Sequence, residues 1–410
     1  MQSLPFTPAN DLATFAQIPA NCGVFVLHAH GAGAEPYIGK AADLRRRMVR
    51  LLAPPESQSK RLNLRERCSR IEFTATGSDF ESVLVLYRLL RQHFPEGYTK
   101  RLRLNLSALV RIHWENAYPR AYVTRKLGAL HKRSVYYGPF AARVSAEKFL
   151  NDALDLFRSR RCTFELDPDP SFPGCVYSEM KMCLAPCFKG CTDAAYMAEM
   201  QRVQDFLDSR GESLLRELEA QRDAASGELQ FEAAATIHNR IEKVNAALKN
   251  LEEVTQRLDR FDAIIVQPSA QADEVSLFRF HAGKIIGPEA FSMLGILPAV
   301  ANAVSGDSSL YGQPLMLQPV AEGATTTTPS PALHTERLRE RIEGLQNAGQ
   351  VSSAIFAEQL AILKRWYFRS HRVGEVFFRN EKGEWPLRKI LNGASRVFAG
   401  EMKSRQKTGG

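Results

Sequence analysis

Apolar positions change period several times along the chain, and each change predicts an element. Gly23 to His28 and Tyr37 to Lys40 read as two short strands joined by the glycine-rich turn His30-Gly-Ala-Gly-Ala34, the signature of a hairpin. Residues 1–22 read as a polar lead-in. Asp43 to Leu52 has the spacing of a basic helix, and Pro54-Pro55 ends it. A strand over Arg70 to Thr74 precedes a helix that opens on Ser78-Asp-Phe-Glu81 and runs to about His93. There Ser78 and Glu81 form a capping box. After extended stretches at Tyr118 to Thr124 and Val135 to Phe140 comes a helix near Ser145 to Arg158. Asp193 to Leu258 is helical with one break near Ser226-Gly227, which predicts a helical hairpin. Phe261 to Val266 and Glu274 to Phe280 return to strand spacing with a turn at Ala282-Gly283, and Thr335 to Phe368 is helical again.

These elements predict an α+β chain of several units. A small mixed α/β unit covers residues 1–100, and a basic connector with a cysteine-rich segment covers 101–192. A helical hairpin covers 193–258, and a small strand-pair and helix region covers 259–410. By composition, 320–333 is a disordered linker and 403–410 a frayed tail.

The 410 residues are 44% hydrophobic and 24% charged, ordinary for a folded protein. The charge-free stretch Ala290 to Gly306 is too short for the roughly 20 apolar residues of a spanning helix. No basic residue precedes Lys40 and no apolar core leads to a cleavage site, so a cytoplasmic protein is expected. Charge is placed unevenly: residues 1–140 hold 21 Lys and Arg against 10 Asp and Glu, out of totals of 54 and 45. The positive excess therefore sits in the first third, mostly in Lys40 to Arg70 and Lys100 to Arg133. Such a field suits a polyanion, although a run such as Arg45-Arg46-Arg47 is also what a solvated helix face looks like.

Of seven cysteines, Cys22 and Cys68 stand apart, whereas Cys162, Cys175, Cys183, Cys187 and Cys191 fall within thirty residues. In a reducing compartment such a cluster points to a metal site rather than to disulfides. Four thiolates can hold a [4Fe–4S] cluster or a tetrahedral zinc. Zinc sites typically show two close pairs, which Cys162 and Cys175 do not form, so the spacing favours the cluster over zinc.

The hairpin and basic helix resemble the GIY-YIG nuclease module, and the stretch from there to about residue 300 resembles the UvrC family of the bacterial excinuclease ABC system. The matching residues are Gly23-Val-Phe25, Tyr37-Ile-Gly-Lys40, Leu44-Arg-Arg-Arg47, Val135-Tyr-Tyr-Gly-Pro-Phe140, the cysteine spacing, and Phe231-Glu-Ala-Ala-Ala235. The resemblance implies metal-dependent DNA incision in nucleotide excision repair. Tyr37 would stand beside the attacking water, Arg47 would hold the scissile phosphate and Lys40 would assist, while Arg45, Arg46 and Arg50 would bind DNA. Four positions depart from the pattern. Phe25 and Leu51 replace tyrosines, Tyr98 replaces an asparagine, and Leu86 stands where the metal-binding glutamate is expected. Leucine offers no oxygen to a hard divalent cation, so a degenerate nuclease centre is expected; magnesium or manganese would be needed only by an active one.

The resemblance also implies that Cys162, Cys175, Cys183 and Cys187 hold the cluster, with Cys191 a spare. The run from Leu229 to Ile241 resembles the short UVR helical hairpin, which pairs with a similar hairpin of UvrB, and Phe231, Ala235 and Ile241 would carry that contact. An apolar stripe of this kind is more often intramolecular core. The family's second, RNase H-like nuclease with its Asp-His-Asp set is expected to be missing or reduced to opening strands. Two other readings stay open: an active single-incision endonuclease using another carboxylate such as Glu35 or Glu72, and a non-catalytic regulatory partner of UvrB.

Overall fold

The glycine-rich turn folds as its sequence requires. Gly31 and Gly33 take φ of 97° and 87°, a region that favours glycine. In this computed structural model, residues 1–31, 33–54, 62–130, 133–294, 296, 331–346, 349, 351–380 and 382–401 are described. They form three antiparallel four-stranded sheets with helices on their faces. The expected polar lead-in is instead β1 (Gln2–Pro5) and α1 (Asp11–Gln17), followed by the hairpin β2 (Gly23–Ala29) and β3 (Tyr37–Ala41). Next come α2 (Leu44–Leu52), β4 (Cys68–Ala75), α3 (Asp79–His93) and α4 (Tyr98–Leu102), the first sheet running β1-β4-β2-β3. Four residues of β1 carry too little local pattern to read; the strand is fixed by its distant partner β4, with Leu4 opposite Ile71.

Capping sets the helix starts. The Asp43 carboxylate accepts from the Arg46 amide at 2.9 Å, and the Ser78 hydroxyl accepts from the Glu81 amide at 3.2 Å. Glu81 reaches back one residue further than expected, accepting from the Gly77 amide at 2.9 Å. Side chains alternate across the first sheet. Phe25, Leu27, Ile71 and Phe73 pack with Leu44, Met48 and Leu51 beneath α1 and α2. Val24 turns the other way, toward α3.

The middle of the chain forms β5 (Ala108–Ile112), β6 (Ala121–Thr124), β7 (Val135–Phe140), α5 (Arg143–Leu154) and the short α6 (Val176–Glu179). Then come α7 (Asp193–Asp208), α8 (Glu212–Gly227), α9 (Phe231–Leu248) and β8 (Gln256–Arg257), in the sheet order β6-β5-β7-β8. The helical stretch breaks twice rather than once. At the unexpected break Arg210 and Gly211 have φ of 53° and 93°, and a Cβ on Gly211 would lie 2.3 Å from the Leu248 side chain. Val110, Ile112 and Tyr137 share one core with Phe149, Tyr196, Phe206, Leu218 and Ile241, so residues on both sides of 192/193 pack together.

Beyond Phe261 the expected strand pair is a larger structure. It comprises β9 (Ala263–Pro268), β10 (Glu274–His281), β11 (Lys284–Ser292), α10 (Pro331–Gly344), α11 (Ser353–Tyr367), β12 (Glu375–Phe378) and α12 (Leu387–Phe398), with sheet order β11-β10-β9-β12. The single helix expected over Thr335 to Phe368 is two, because Ser352 caps a new start by accepting from the Ile355 amide at 3.3 Å. Residues 331–333 open α10 rather than close a linker; the rest of that linker and the tail 403–410 lie outside the described residues.

This third unit packs on α3. Phe80, Val83, Tyr87 and Leu90 lie in one core with Phe278, Leu360 and Trp366, and the Phe80 ring meets Phe278 edge-on at 5.3 Å. Burial of each such side chain is worth about 1.5–3 kcal/mol. Gly77 permits the contact at the start of the helix, since a Cβ there would lie 2.0 Å from the Pro268 carbonyl oxygen. Among the described residues no helix is long and apolar enough to cross a membrane.

Candidate functional site

The nuclease-like residues gather only in part. Tyr37 follows the same face of β3 as Gly39, and the Arg47 guanidinium on α2 donates to the Tyr37 hydroxyl at 3.2 Å. The Nε of Arg47 is buried without a hydrogen-bond partner. Lys40, Arg46, Arg47 and Arg50 line one surface cleft, and Asp43 at its edge caps α2. Lys40, however, directs its ammonium to Asp79 at the start of α3, and Arg369 binds the other oxygen of that carboxylate. Burial pushes the Asp79 carboxyl up, but the two cations outweigh it and hold the group below the usual carboxylate range. Arg45 also departs from its expected role: its guanidinium donates to the Ile18 carbonyl at 2.7 Å and the Ala16 carbonyl at 3.3 Å, at the end of α1. Among the described residues Arg46 and Arg50 line the cleft without such a tether, and both are exposed.

The four departures are all accommodated by packing. Phe25 is fully buried against Gly39, where a Cβ would meet the ring at 2.9 Å, and its ring lies 6.1 Å from that of Tyr37. Leu51 is buried beneath the first sheet. Leu86 is buried in the core that α3 shares with the third unit. The Tyr98 hydroxyl donates to Glu358 on α11 at 2.7 Å, and Tyr87 donates to the other oxygen of that carboxylate at 2.7 Å. Burial, then Glu358, pushes both phenols up to about 12, so they remain donors at neutral pH. The candidate alternative carboxylates are engaged as well: Glu35 with Arg101 at 3.3 Å, and Glu72 with His28 at 3.3 Å and Arg70 at 3.2 Å. With leucine at the position of the expected glutamate, these residues do not fit a divalent-metal nuclease centre.

The cysteines behave differently. Cys162, Cys175, Cys183 and Cys187 line a single cavity of about 140 Å³, whose wall is otherwise largely apolar, including Phe164, Leu166, Phe172 and Pro186. The Cys183 sulfur accepts from the Ala185 amide at 3.3 Å, in a loop where Ala185 and Lys189 have φ of 56° and 59°. Burial, then the neighbouring thiols, pushes Cys183 up to about 11 and raises Cys187. A soft donor set of four sulfurs with amide support fits a thiolate-bound iron–sulfur group. Cys191 does not line the cavity and packs instead beside the middle core.

At the α8–α9 turn, Leu229 is 72% exposed and Phe231 65% exposed, and Ala235 is exposed one turn on. Ile241 is 6% exposed and belongs to the middle core, which removes it from any partner surface. The apolar stripe of α9 thus divides between core and solvent.

Asp79, Glu358 and Arg369 carry no local sequence signal, because their partners lie far along the chain, and neither does Arg160, which lines the cysteine cavity. The third unit's Asp262 is bound by Arg279 and Arg379, and its Glu375 by Arg396. Among the described residues no three His, Cys, Asp or Glu side chains are placed to hold a single metal ion.

Residues 21–98 match the family model of the UvrC-like GIY-YIG domain, and residues 108–206 match that of the UvrC/Cho excinuclease middle domain. The N-terminal unit is a GIY-YIG domain, and the chain is UvrC-like through both regions. Similar curated proteins include the UvrABC system protein C of Dehalococcoides mccartyi, 27% identical over 282 residues, which is 68% of this chain and 46% of that protein. That of Moorella thermoacetica is 28% identical over 281 residues, 68% of this chain and 45% of that protein. That of Microcystis aeruginosa is 30% identical over 276 residues, 66% of this chain and 43% of that protein. The chain spans a little under half the length of these relatives, and no solved structure matches it.

Proposed function

We propose that this chain is a UvrC-like, DNA-binding protein of nucleotide excision repair whose nuclease centre is degenerate, and that it acts in the cytoplasm beside UvrB. The observation that carries this reading is Leu86, buried in a core where a metal-binding carboxylate would be needed. The Tyr37–Arg47 pair, with Arg46 and Arg50, keeps a cationic cleft suited to backbone phosphates. Phosphate can be held there without a carboxylate to bind the ion that would activate water.

The four cysteines hold a [4Fe–4S] cluster in this reading. Four thiols ringing a cavity, rather than converging on a point, suit a multi-iron group better than a lone zinc. When bound, such a cluster supplies a rigid cross-link between loop segments and a one-electron centre. The exposed Leu229 and Phe231 favour docking of the α8–α9 tip on UvrB.

The decisive experiment is a nicking assay on lesion-bearing duplex DNA with the partner proteins of the excision system and magnesium or manganese. No incision is expected, whereas salt-sensitive DNA binding is. Metal-dependent incision that Tyr37→Phe abolishes would replace this reading with an active single-incision endonuclease. Loss of UvrB capture on Phe231→Ala supports the docking surface, and unchanged capture removes it.

A further inference from the structure

The cysteine cavity contains a charge that nothing else in the described structure balances. Arg160 is 1% exposed, the largest fully buried side chain among the described residues. Its Nε donates to the Tyr118 carbonyl at 3.0 Å, and its Nη1 donates to the Phe164 carbonyl at 3.1 Å and approaches the Cys162 sulfur at 3.5 Å. Its Nη2 is buried with no hydrogen-bond partner. Among the described residues no carboxylate pairs with it, whereas the adjacent Arg161 is held by Asp155 at 2.6 Å. A guanidinium stays charged in any protein environment, and burying it unpaired is strongly unfavourable. The side chain is fixed by two carbonyls that carry no formal charge, so its position makes sense only beside an anion.

We propose that Arg160 is a positioning residue for the cysteine-bound group. Its guanidinium is the counter-charge to the thiolates of Cys162, Cys175, Cys183 and Cys187, with Nη2 reserved as a donor to the group they hold. This rests on the iron–sulfur reading above. Four thiolates around a [4Fe–4S] core leave a net negative charge, and hydrogen bonds to sulfur together with nearby charge set both cluster retention and potential. Arg161 lines the same cavity but is neutralised by Asp155, so it serves as an internal control.

The test uses the full chain purified anaerobically, with iron and sulfide content, midpoint potential by mediated titration, and the rate of iron loss to a chelator. Arg160→Gln is expected to shift the midpoint to a more negative potential, because removing a cation disfavours the more reduced cluster, and to release iron about tenfold faster or more. Arg160→Lys keeps the charge but not the planar fork, so it should hold the wild-type potential while still losing iron faster. Arg161→Gln should leave both unchanged. If wild type binds iron and sulfide and Arg160→Gln matches it in potential and iron loss, the inference is overturned while the cluster reading stands. If wild type carries zinc or no metal, both are overturned. Should Arg160→Gln fail to accumulate in soluble form, Arg160→Lys decides, and wild-type iron retention by that variant would overturn the inference.

Discussion

The cysteine cavity and the nuclease-like cleft lie in neighbouring units and reached opposite ends. In the first, four sulfurs contributed by a loop-rich segment line one cavity, and a buried arginine stands beside them. In the second, Tyr37 and Arg47 remain together, Lys40 is drawn away by Asp79, and the α3 position that would complete the centre is absorbed into packing against the third unit. The difference is instructive: the departures in the cleft serve packing or, at Tyr98, a hydrogen bond to Glu358, whereas the cysteine segment encloses a cavity.

The largest expected effect tests the gathered site. Cys183→Ser should abolish bound iron, measured per chain after anaerobic purification, while Cys191→Ser should leave it intact; equal losses in the two variants would erase the distinction between lining and spare thiols. Next, Leu86→Glu restores a carboxylate to the dispersed site, yet it buries an unpaired charge between α3 and the third unit. It should lower unfolding free energy by about 3 kcal/mol in denaturant titration and still yield no metal-dependent nicking. Recovered incision would show that the cleft lacks one side chain and nothing more.

Glu358→Ala should cost about 2 kcal/mol, because the buried Tyr87 and the half-buried Tyr98 lose their shared acceptor. The smallest effect concerns pH. Asp79 is held below the ordinary carboxylate range in the folded protein, so its contribution is complete at neutral pH and disappears as pH falls through that lowered value. Asp79→Asn should therefore make the acid side of the stability profile shallower in thermal melts from pH 7 downward. An unchanged profile would mean that the Lys40 and Arg369 ion pairs do not couple the first unit to the third.

Much of the first unit was legible because its signals are local: a glycine turn, a basic helix followed by two prolines, and Ser78 before α3. Elements defined by distant partners were not. Strand β1 depends on β4, and β12 pairs with β9, Glu375 opposite Val266, far apart along the chain. The four cysteines singled out by their spacing line one cavity, since residue type and proximity along the chain were enough to group them. The cleft was legible residue by residue, but its fate was not, since nothing near Leu86 announces that α11 and β10 pack against the same helix. Arg160 was unreadable for the same reason: an arginine beside a cysteine reveals its burial only once the fold is assembled.

The turn at Gly77 has a practical consequence. A methyl group there would collide with the Pro268 carbonyl oxygen, so the junction between the first and third units is set at backbone level. A gene fragment stopped near residue 100 would leave Phe80, Val83 and Tyr87 without their cover, producing a sticky, aggregation-prone product. Anyone hoping to transplant this cationic module into another scaffold would have to carry its distant neighbour along, or redesign that side of α3 for water.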